Sequence, residues 1–243
     1  MSGATRRPRG WWHAGSSAQA AERSPDMFDD RSDAGRRLAA ELLRIEPGLR
    51  EDDVVVLGLP RGGVPVAAEV ADALHAPLDV VVVRKLGVPW QPEVAMGAVG
   101  EGGVELLDSR VVQSLGISSD DVQFVRRRER DALAARVAIL RARREPLDLV
   151  GRTAVVVDDG LATGSTARAA CGVVMHRGAS RVVLAAPVGP ATTVATFPDA
   201  DRVVCVLTPT DFSAVGRFYR DFTATTDEEV LAILARPAPG LSG

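Results

Sequence analysis

Residues 155–166 read Val-Val-Val-Asp-Asp-Gly-Leu-Ala-Thr-Gly-Ser-Thr, and this stretch decides the fold. Three β-branched apolar residues end in two acids, which predicts a buried strand whose carboxyl end carries Asp158 and Asp159. A small-residue loop with three hydroxyl side chains follows, and an alanine-rich run then predicts a helix that begins near Ser165. This order is typical of an open α/β sheet, in which ligands bind outside the carboxyl ends of the strands.

The same stretch indicates the chemistry of the ligand. A helix N-terminus offers free N–H groups and the positive end of the helix dipole, both of which suit a phosphate. Two adjacent acids in front of such a loop would repel a phosphate that arrived alone. The combination therefore predicts a ligand with a phosphate at one end and hydroxyl groups or a metal ion at the other.

Length and composition indicate one ordinary soluble domain. The chain has 243 residues, of which 46% are hydrophobic and 25% charged, and its formal net charge is −3. Such a charge creates no field that would recruit nucleic acid or an acidic membrane, and no run of about 18 apolar residues occurs. We therefore expect a cytoplasmic protein without nucleic-acid or membrane partners, and free thiols at Cys171 and Cys205.

Both ends of the chain are expected to lie outside the domain. Residues 1–27 contain arginine and serine but no core pattern, which predicts a disordered tail, with a transit peptide as the alternative. Met27 directly precedes the first patterned segment, so we also hypothesise that translation begins there. The predicted domain is 28–236, and 237–243 form a second tail.

Apolar runs and helical patterns alternate through the domain, which predicts a doubly wound parallel sheet flanked by helices. The predicted strands are 54–59, 78–83, 153–157, 182–187 and 203–207. The first predicted helix is capped by Ser32 or Asp33 and ends near Gly48. The other predicted helices cover 66–74, 118–144, 165–177, 190–197 and 227–234. Residues 84–103 are rich in glycine and proline and are expected to be irregular, with 95–99 and 104–107 pairing as a hairpin.

One basic residue differs from all the others. Of 29 basic residues only Lys85 is a lysine, and it follows Arg84 at the end of the second predicted strand. Lysine is a compact charge on a flexible stem, so arginine does not replace it at every phosphate site. The alternative is that Lys85 is a surface residue without a function, and that its being a lysine is a matter of chance.

The motifs together resemble a known family. The stretch 155–166 is similar to the phosphoribosyl-diphosphate (PRPP) signature of type I phosphoribosyltransferases, and the order of elements matches over about 28–235. Segments 59–65, 83–87 and 214–219 resemble, more narrowly, bacterial phosphoribosyltransferase-domain proteins. One position departs from the usual pattern, because Gly160 stands where an aliphatic residue is common.

The resemblance implies roles for the residues of the signature. Asp158 and Asp159 would hold the two ribose hydroxyls of PRPP, directly or through water on Mg²⁺. The following loop would wrap the 5′-phosphate with its N–H groups and hydroxyls. That loop consists of Ala162, Thr163, Gly164, Ser165 and Thr166.

The resemblance also implies a second anion-binding loop and a cover. Arg61, Gly62 and Gly63 would face the diphosphate, in a loop that often contains a cis peptide bond in this family. Residues 84–107 would form a flexible lid, in which Arg84 and Lys85 stabilise the departing diphosphate. A plain strand–helix turn is the alternative for the first of these segments.

The acceptor is expected under a hood formed by 208–222. Phe218 and Tyr219 are candidates for stacking a base, although these rings equally suit a cap that packs on the sheet. Ala162 stands where relatives that use 6-oxopurines usually have an acid, so no general base is visible in the loop.

The implied activity is transfer of a phosphoribosyl group from PRPP to a nucleobase or related acceptor with Mg²⁺ as cofactor, by a homodimer. The alternative is a regulatory module that binds PRPP or a nucleotide without turnover. The phosphate loop alone fits both, whereas the lid cation at Lys85 favours the enzyme. No DNA-binding segment is recognisable in the sequence, which disfavours a repressor.

Overall fold

A computed structural model of the chain describes residues 27–142 and 144–236. The tails predicted for 1–27 and 237–243 therefore lie outside the described residues, except for Met27. Within the described ranges, every helix is too short or too polar to cross a membrane.

Eight strands and seven α-helices make up the described chain. The strands are β1 (Val54–Gly58), β2 (Leu78–Val80), β3 (Val83–Val88), β4 (Gln91–Gly100), β5 (Glu105–Leu107), β6 (Thr153–Val157), β7 (Arg181–Val188) and β8 (Arg202–Leu207). The helices are α1 (Arg31–Ile45), α2 (Gly63–Leu74), α3 (Ser109–Ser114), α4 (Ser119–Leu140), α5 (Ser165–His176), α6 (Ala191–Ala195) and α7 (Asp227–Leu234).

The predicted parallel sheet is confirmed. Five parallel strands lie in the order β2-β1-β6-β7-β8. Because successive side chains of a strand point to opposite faces, each central strand feeds two apolar layers. Val55 and Val156 pack with α5 on one face, whereas Val56 and Val155 pack with α1 and α2 on the other. This double burial explains why the central strands are continuous apolar runs.

The strand order reverses between β1 and β6. From β1 the sheet extends to β2, and from β6 it extends through β7 to β8. The two central strands pair in register from Val54↔Thr153 to Gly58↔Val157, so their carboxyl ends lie side by side. Such a reversal opens a crevice at the ends of the strands, where ligands of this class of sheet bind.

The sequence predicted an irregular segment at 84–103, and this prediction is wrong. Most of these residues belong to a second sheet. β3, β4 and β5 form an antiparallel sheet, and the predicted pairing of 95–99 with 104–107 is confirmed by pairs such as Val99↔Glu105. Its glycines lie where backbones approach closely. A Cβ at Gly87 would lie 2.7 Å from the Pro92 carbonyl oxygen, and one at Gly97 would lie 2.3 Å from that of Leu106. The glycines that suggested a loop are therefore part of the strand packing.

Most helices lie close to their predicted positions, and α7 matches its prediction to the residue. The cap of α1 was predicted wrongly, because the side chain of Asp30 accepts the hydrogen bond from the Asp33 N–H. The short helix α3 was not predicted. Helix α4 ends at Leu140, four residues before the predicted end, and Arg141 then turns its side chain into the protein.

A buried ionic network joins the two sheets. Arg141 donates to Asp79 of β2 at 2.6 Å and to Glu101 at 2.7 Å, and Arg177 at the end of α5 contacts the same glutamate at 3.3 Å. Asp79 is 0% exposed and also accepts from the Leu147 N–H at 2.9 Å. Because a buried charge without a partner is costly, each member depends on the others.

We expect Asp79→Ala to lower the free energy of unfolding by about 3–5 kcal/mol, because it removes one of the two buried carboxylates that pair with Arg141 and leaves the Leu147 N–H without its acceptor. Urea unfolding would measure the loss. The matched control is Arg128→Gln on α4, whose side chain is 61% exposed beside Glu129 and which should cost less than about 1 kcal/mol. Equal effects of the two substitutions would contradict the assigned role of the network.

Candidate functional site

The loops after β1 and β6 meet at the carboxyl ends of these strands. The Leu59 N–H donates to the Val157 carbonyl at 2.8 Å, which holds the first residue of one loop against the other strand. A Cβ at Gly62 would lie only 1.9 Å from Oδ2 of Asp159, so only glycine allows this approach. The Pro60–Arg61 peptide bond is cis, as the resemblance implied. The two predicted anion-binding loops thus form the walls of one crevice.

The two acids of the signature lie between these loops and affect each other. The Asp159 N–H donates to Oδ1 of Asp158 at 2.9 Å. Burial, together with the charge of Asp159, raises the pKa of the Asp158 carboxyl to about 8. Burial also raises the pKa of Asp159, although the guanidinium of Arg31 opposes that shift. The pair therefore favours a ligand or cation that relieves the repulsion between two half-buried carboxyl groups.

Arg31, which the sequence analysis missed, is the cation beside this pair. It is the first residue of α1, and its Nε and Nη2 lie 2.9 and 2.8 Å from Oδ2 of Asp159. Its Nη1 donates to the Thr223 carbonyl at 2.7 Å, and its guanidinium carbon lies 4.1 Å from the centroid of the Phe222 ring. No local sequence signal could identify this residue, because its carboxylate partner is 128 positions away.

The loop before α5 has the geometry of an anion site. Gly164 has φ = 72°, a left-handed conformation that favours glycine, and directly precedes the first turn of the helix. The hydroxyls of Thr163 and Ser165 lie 3.0 Å apart, and Ala162, Thr163 and Thr166 are exposed. The structure therefore brings the five residues predicted for the 5′-phosphate to one exposed helix N-terminus.

Arg84 and Lys85, predicted together as lid cations, lie on opposite faces of β3 because side chains alternate along a strand. Nζ of Lys85 lies 3.4 Å from Oγ of Ser165 and 3.2 Å from Oε2 of Glu93. Arg84 instead contacts Glu129 of α4 at 3.5 Å. The structure thus brings only Lys85 to the phosphate loop, and it separates Arg84 from the site.

The loop predicted for the diphosphate contributes backbone rather than a cation. Arg61 is half exposed and its Nη1 lies 3.9 Å from Oδ1 of Asp227, at the start of α7, so its side chain is directed away from the acids. Gly63 begins α2, and a Cβ there would lie 2.5 Å from the Val157 carbonyl oxygen. Both glycines are therefore needed for close packing of the two loops.

The aromatic residues of the hood are packed inward, which corrects the expectation for Tyr219. Its ring is buried, lies 5.3 Å from that of Phe28, and its hydroxyl donates to the Asp159 carbonyl at 2.6 Å. The ring is therefore a support for the acid loop and offers no open face to a base. Phe218 is half-buried and stacks on Phe212 at 5.8 Å.

A residue of the hood explains why a glycine stands at position 160. A Cβ at this position would lie 2.4 Å from Cγ1 of Val215, in the 3₁₀-helix Val215–Phe218. The side chain of Val215 thus fills the space that an aliphatic residue at position 160 would occupy. This contact fixes the hood directly over the acid loop.

The carboxylates of the site suit a Mg²⁺ ion that is bound jointly by the protein and a substrate better than one bound by protein side chains alone. Among the described residues, no group of three or more His, Cys, Asp or Glu side chains could hold a metal. Asp158 and Asp159 are hard oxygen donors, which Mg²⁺ accepts when a substrate phosphate and water supply the remaining ligands. The site therefore fits a metal ion that binds together with a diphosphate.

Comparisons with known proteins agree with this geometry. The family described as phosphoribosyl transferase domain matches residues 26–223. A Mycobacterium tuberculosis protein named "Putative phosphoribosyl transferase" is 54% identical over 211 residues, which cover 86% of this chain and 47% of that protein. The chain thus spans about half the length of these mycobacterial relatives.

Two further proteins are similar to this chain, one of them with a solved structure. The crystal structure of a Thermus thermophilus protein has a TM-score of 0.79 and 45% identity, covering 86% of this chain and 97% of that one. The bifunctional protein PyrR of Clostridium acetobutylicum is 27% identical over 151 residues, which are 60% of this chain and 62% of that protein. The fold is therefore shared with a solved relative over nearly the whole length of that relative.

We expect Asp158→Asn to change how stability depends on pH. A carboxyl whose pKa rises to about 8 on folding binds more protons in the folded state than in the unfolded state, where its pKa is about 3.9. The free energy of unfolding of the wild type should therefore fall as the pH rises from about 4 to about 8 and above. The variant should lack this slope and exceed the wild type at pH 8.5 by at least about 1.4 kcal/mol, one pKa unit.

Chemical denaturation between pH 4 and pH 9 in the presence of a chelator would measure this difference. Asp211→Asn, at an exposed position of the hood, is the control and should follow the wild-type profile. Parallel profiles for Asp158→Asn and the wild type would show that the site does not shift this carboxyl.

Proposed function

The chain belongs to the phosphoribosyl transferase family, and we propose that it transfers the phosphoribosyl group of PRPP to a nucleobase or related nitrogen acceptor, with Mg²⁺. The observation that carries this proposal is the meeting of two loops around one acid pair, where Gly62 touches Asp159. One loop suits a 5′-phosphate and the other a diphosphate, and the carboxylates between them suit the hydroxyls of the connecting sugar.

The chain's own residues would bind and orient the donor. The N–H groups at the start of α5 and the hydroxyls of Thr163, Ser165 and Thr166 would bind the 5′-phosphate, at about 1.5–3 kcal/mol for each charge-assisted hydrogen bond. Asp158 and Asp159 would accept hydrogen bonds from the ribose hydroxyls. When bound, Mg²⁺ would neutralise charge on the diphosphate as it departs.

The proposed reaction exchanges one bond for another at C1 of the sugar. A bond forms from the acceptor nitrogen to C1, while the bond from C1 to the diphosphate oxygen breaks and its electron pair leaves with pyrophosphate. The acceptor then loses its proton to water, because Ala162 offers no carboxylate that could accept it.

The deciding experiment measures pyrophosphate release from PRPP with a panel of nucleobases and amines. We expect release with at least one acceptor, dependence on Mg²⁺, and its loss in Asp159→Asn. Tight binding of PRPP without release for any acceptor would instead support the regulatory module. Absence of PRPP binding at any Mg²⁺ concentration would overturn the proposal.

A second prediction concerns Lys85, whose Nζ contacts Ser165 of the phosphate loop. We expect Lys85→Ala to weaken binding of ribose 5-phosphate by about tenfold, the loss of one charge-assisted hydrogen bond, and to leave pyrophosphate binding unchanged. Calorimetry with each ligand separately would measure both affinities. The lid role implied by the family resemblance predicts the reverse, a loss for pyrophosphate alone.

Arg84→Ala is the matched control for this prediction. Arg84 is the neighbouring residue of β3 and carries the same charge, but it contacts Glu129 on the other face. Its removal should change both affinities by less than about twofold, because screened surface charges contribute little. Equal losses from the two alanine variants would show that the lid acts only through its net charge.

The cytoplasmic location and the homodimer are parts of the same proposal. Analytical ultracentrifugation at several concentrations would test the dimer, and fractionation of cells that express the tagged chain would test the location.

A further inference from the structure

Arg31 binds the acid pair more closely than a simple structural role requires. Two of its nitrogens bind one oxygen, Oδ2 of Asp159, at 2.9 and 2.8 Å, and the side chain is only 11% exposed. Arg31 also occupies the first position of α1, where a cation opposes the helix dipole. The helix itself therefore gains nothing from this charge, and the gain comes from Asp159.

The other contacts of Arg31 fix it in this position. Its Nη1 donates to the Thr223 carbonyl at 2.7 Å, and its guanidinium lies over the ring of Phe222 at 4.1 Å. The Asp29 carbonyl accepts from the Asp221 N–H at 2.9 Å, which holds the start of α1 against the hood. The guanidinium is thus preorganised beside the carboxylate by two contacts of its own and by the backbone bond that holds the start of α1.

This arrangement conflicts with direct metal binding by Asp159. A divalent cation that bound Oδ2 would lie within a few ångströms of the guanidinium, where charges of the same sign repel strongly. Without Oδ2, the free protein offers the metal only Asp158 and the second oxygen of Asp159. Two oxygen sources of this kind make a weak site, because Mg²⁺ requires near-octahedral coordination.

We propose that Arg31 is a resident cation of the acid pair, which excludes divalent metal from Asp159 until the metal arrives with the sugar diphosphate. This inference rests on the proposed function for the ligand but concerns the free protein. It makes Arg31 a positioning residue, since it acts through Asp159 and sets the order in which metal and donor bind.

The test is binding of Mn²⁺ alone, as a spectroscopic substitute for Mg²⁺, to the full chain without PRPP. Wild-type protein should bind Mn²⁺ weakly by electron paramagnetic resonance titration. Arg31→Gln removes the charge and keeps a polar amide, although it is shorter than arginine and loses the bond to the Thr223 carbonyl, and it should bind Mn²⁺ at least about tenfold more tightly. Arg31→Lys keeps the charge and should behave as the wild type.

Arg36→Gln is the control, because this exposed residue of the same helix pairs with Asp33 and Glu69 away from the crevice. Its Mn²⁺ affinity should equal that of the wild type. The double variant Arg31→Gln/Asp159→Asn should lose the gain, which would place the new metal contact at Asp159.

An Arg31→Gln variant that folds and binds Mn²⁺ no more tightly than the wild type would overturn the inference. Should that variant not fold, the wild type alone decides: one tight Mn²⁺ site in the free protein overturns it, and weak binding that strengthens only with PRPP supports it. Titration of PRPP with Mg²⁺ separates the two proposals, because wild-type protein that binds PRPP supports the function whatever Arg31 does.

Discussion

The pairing of β1 with β6 brings two loops together that are about a hundred residues apart in the sequence, and the glycine at position 62 lets them touch. A methyl group there would occupy the place of the Asp159 carboxylate, which is bound by Arg31. The acid pair, the helix N-terminus and the hood are all arranged around this contact. The site therefore depends on a backbone approach, which the parallel register of the sheet sets.

Electrostatics explains why several elements surround Asp159. Two adjacent carboxyl groups at the end of a buried strand repel each other, and burial raises the pKa of both. Arg31 compensates one negative charge, and the Tyr219 hydroxyl fixes the backbone of the same residue through its carbonyl at 2.6 Å. Asp158, the carboxyl group that Arg31 does not contact, is left for the hydroxyl groups or the metal of a ligand.

The sequence could predict the elements whose signal is local. Strand β6 and helix α7 lie where they were predicted, because a continuous apolar run and a capping box at Thr226 need no distant partner. The hairpin of 95–99 with 104–107 was predicted, but β3 and its pairing with β4 were missed, because the glycines that allow close strand packing look like a loop in the sequence. Arg31 was missed because its partner is distant. Tyr219 was named, but the sequence could not decide between stacking a base and packing on the sheet, because exposure cannot be deduced from aromatic character.

The second sheet also changes how the lid can act. Lys85 belongs to β3 and pairs across the strand with Ala98 of β4, so its backbone cannot move independently of the sheet. The freedom that remains is in the four-carbon stem of the side chain. The side chain of Glu93 is 75% exposed, so its ion pair with Lys85 is weak. A phosphate can therefore replace Glu93 as the partner of Lys85 at little cost. A change of partner by the Lys85 side chain is thus one motion that this architecture permits at the phosphate, beside any movement of the second sheet as a unit.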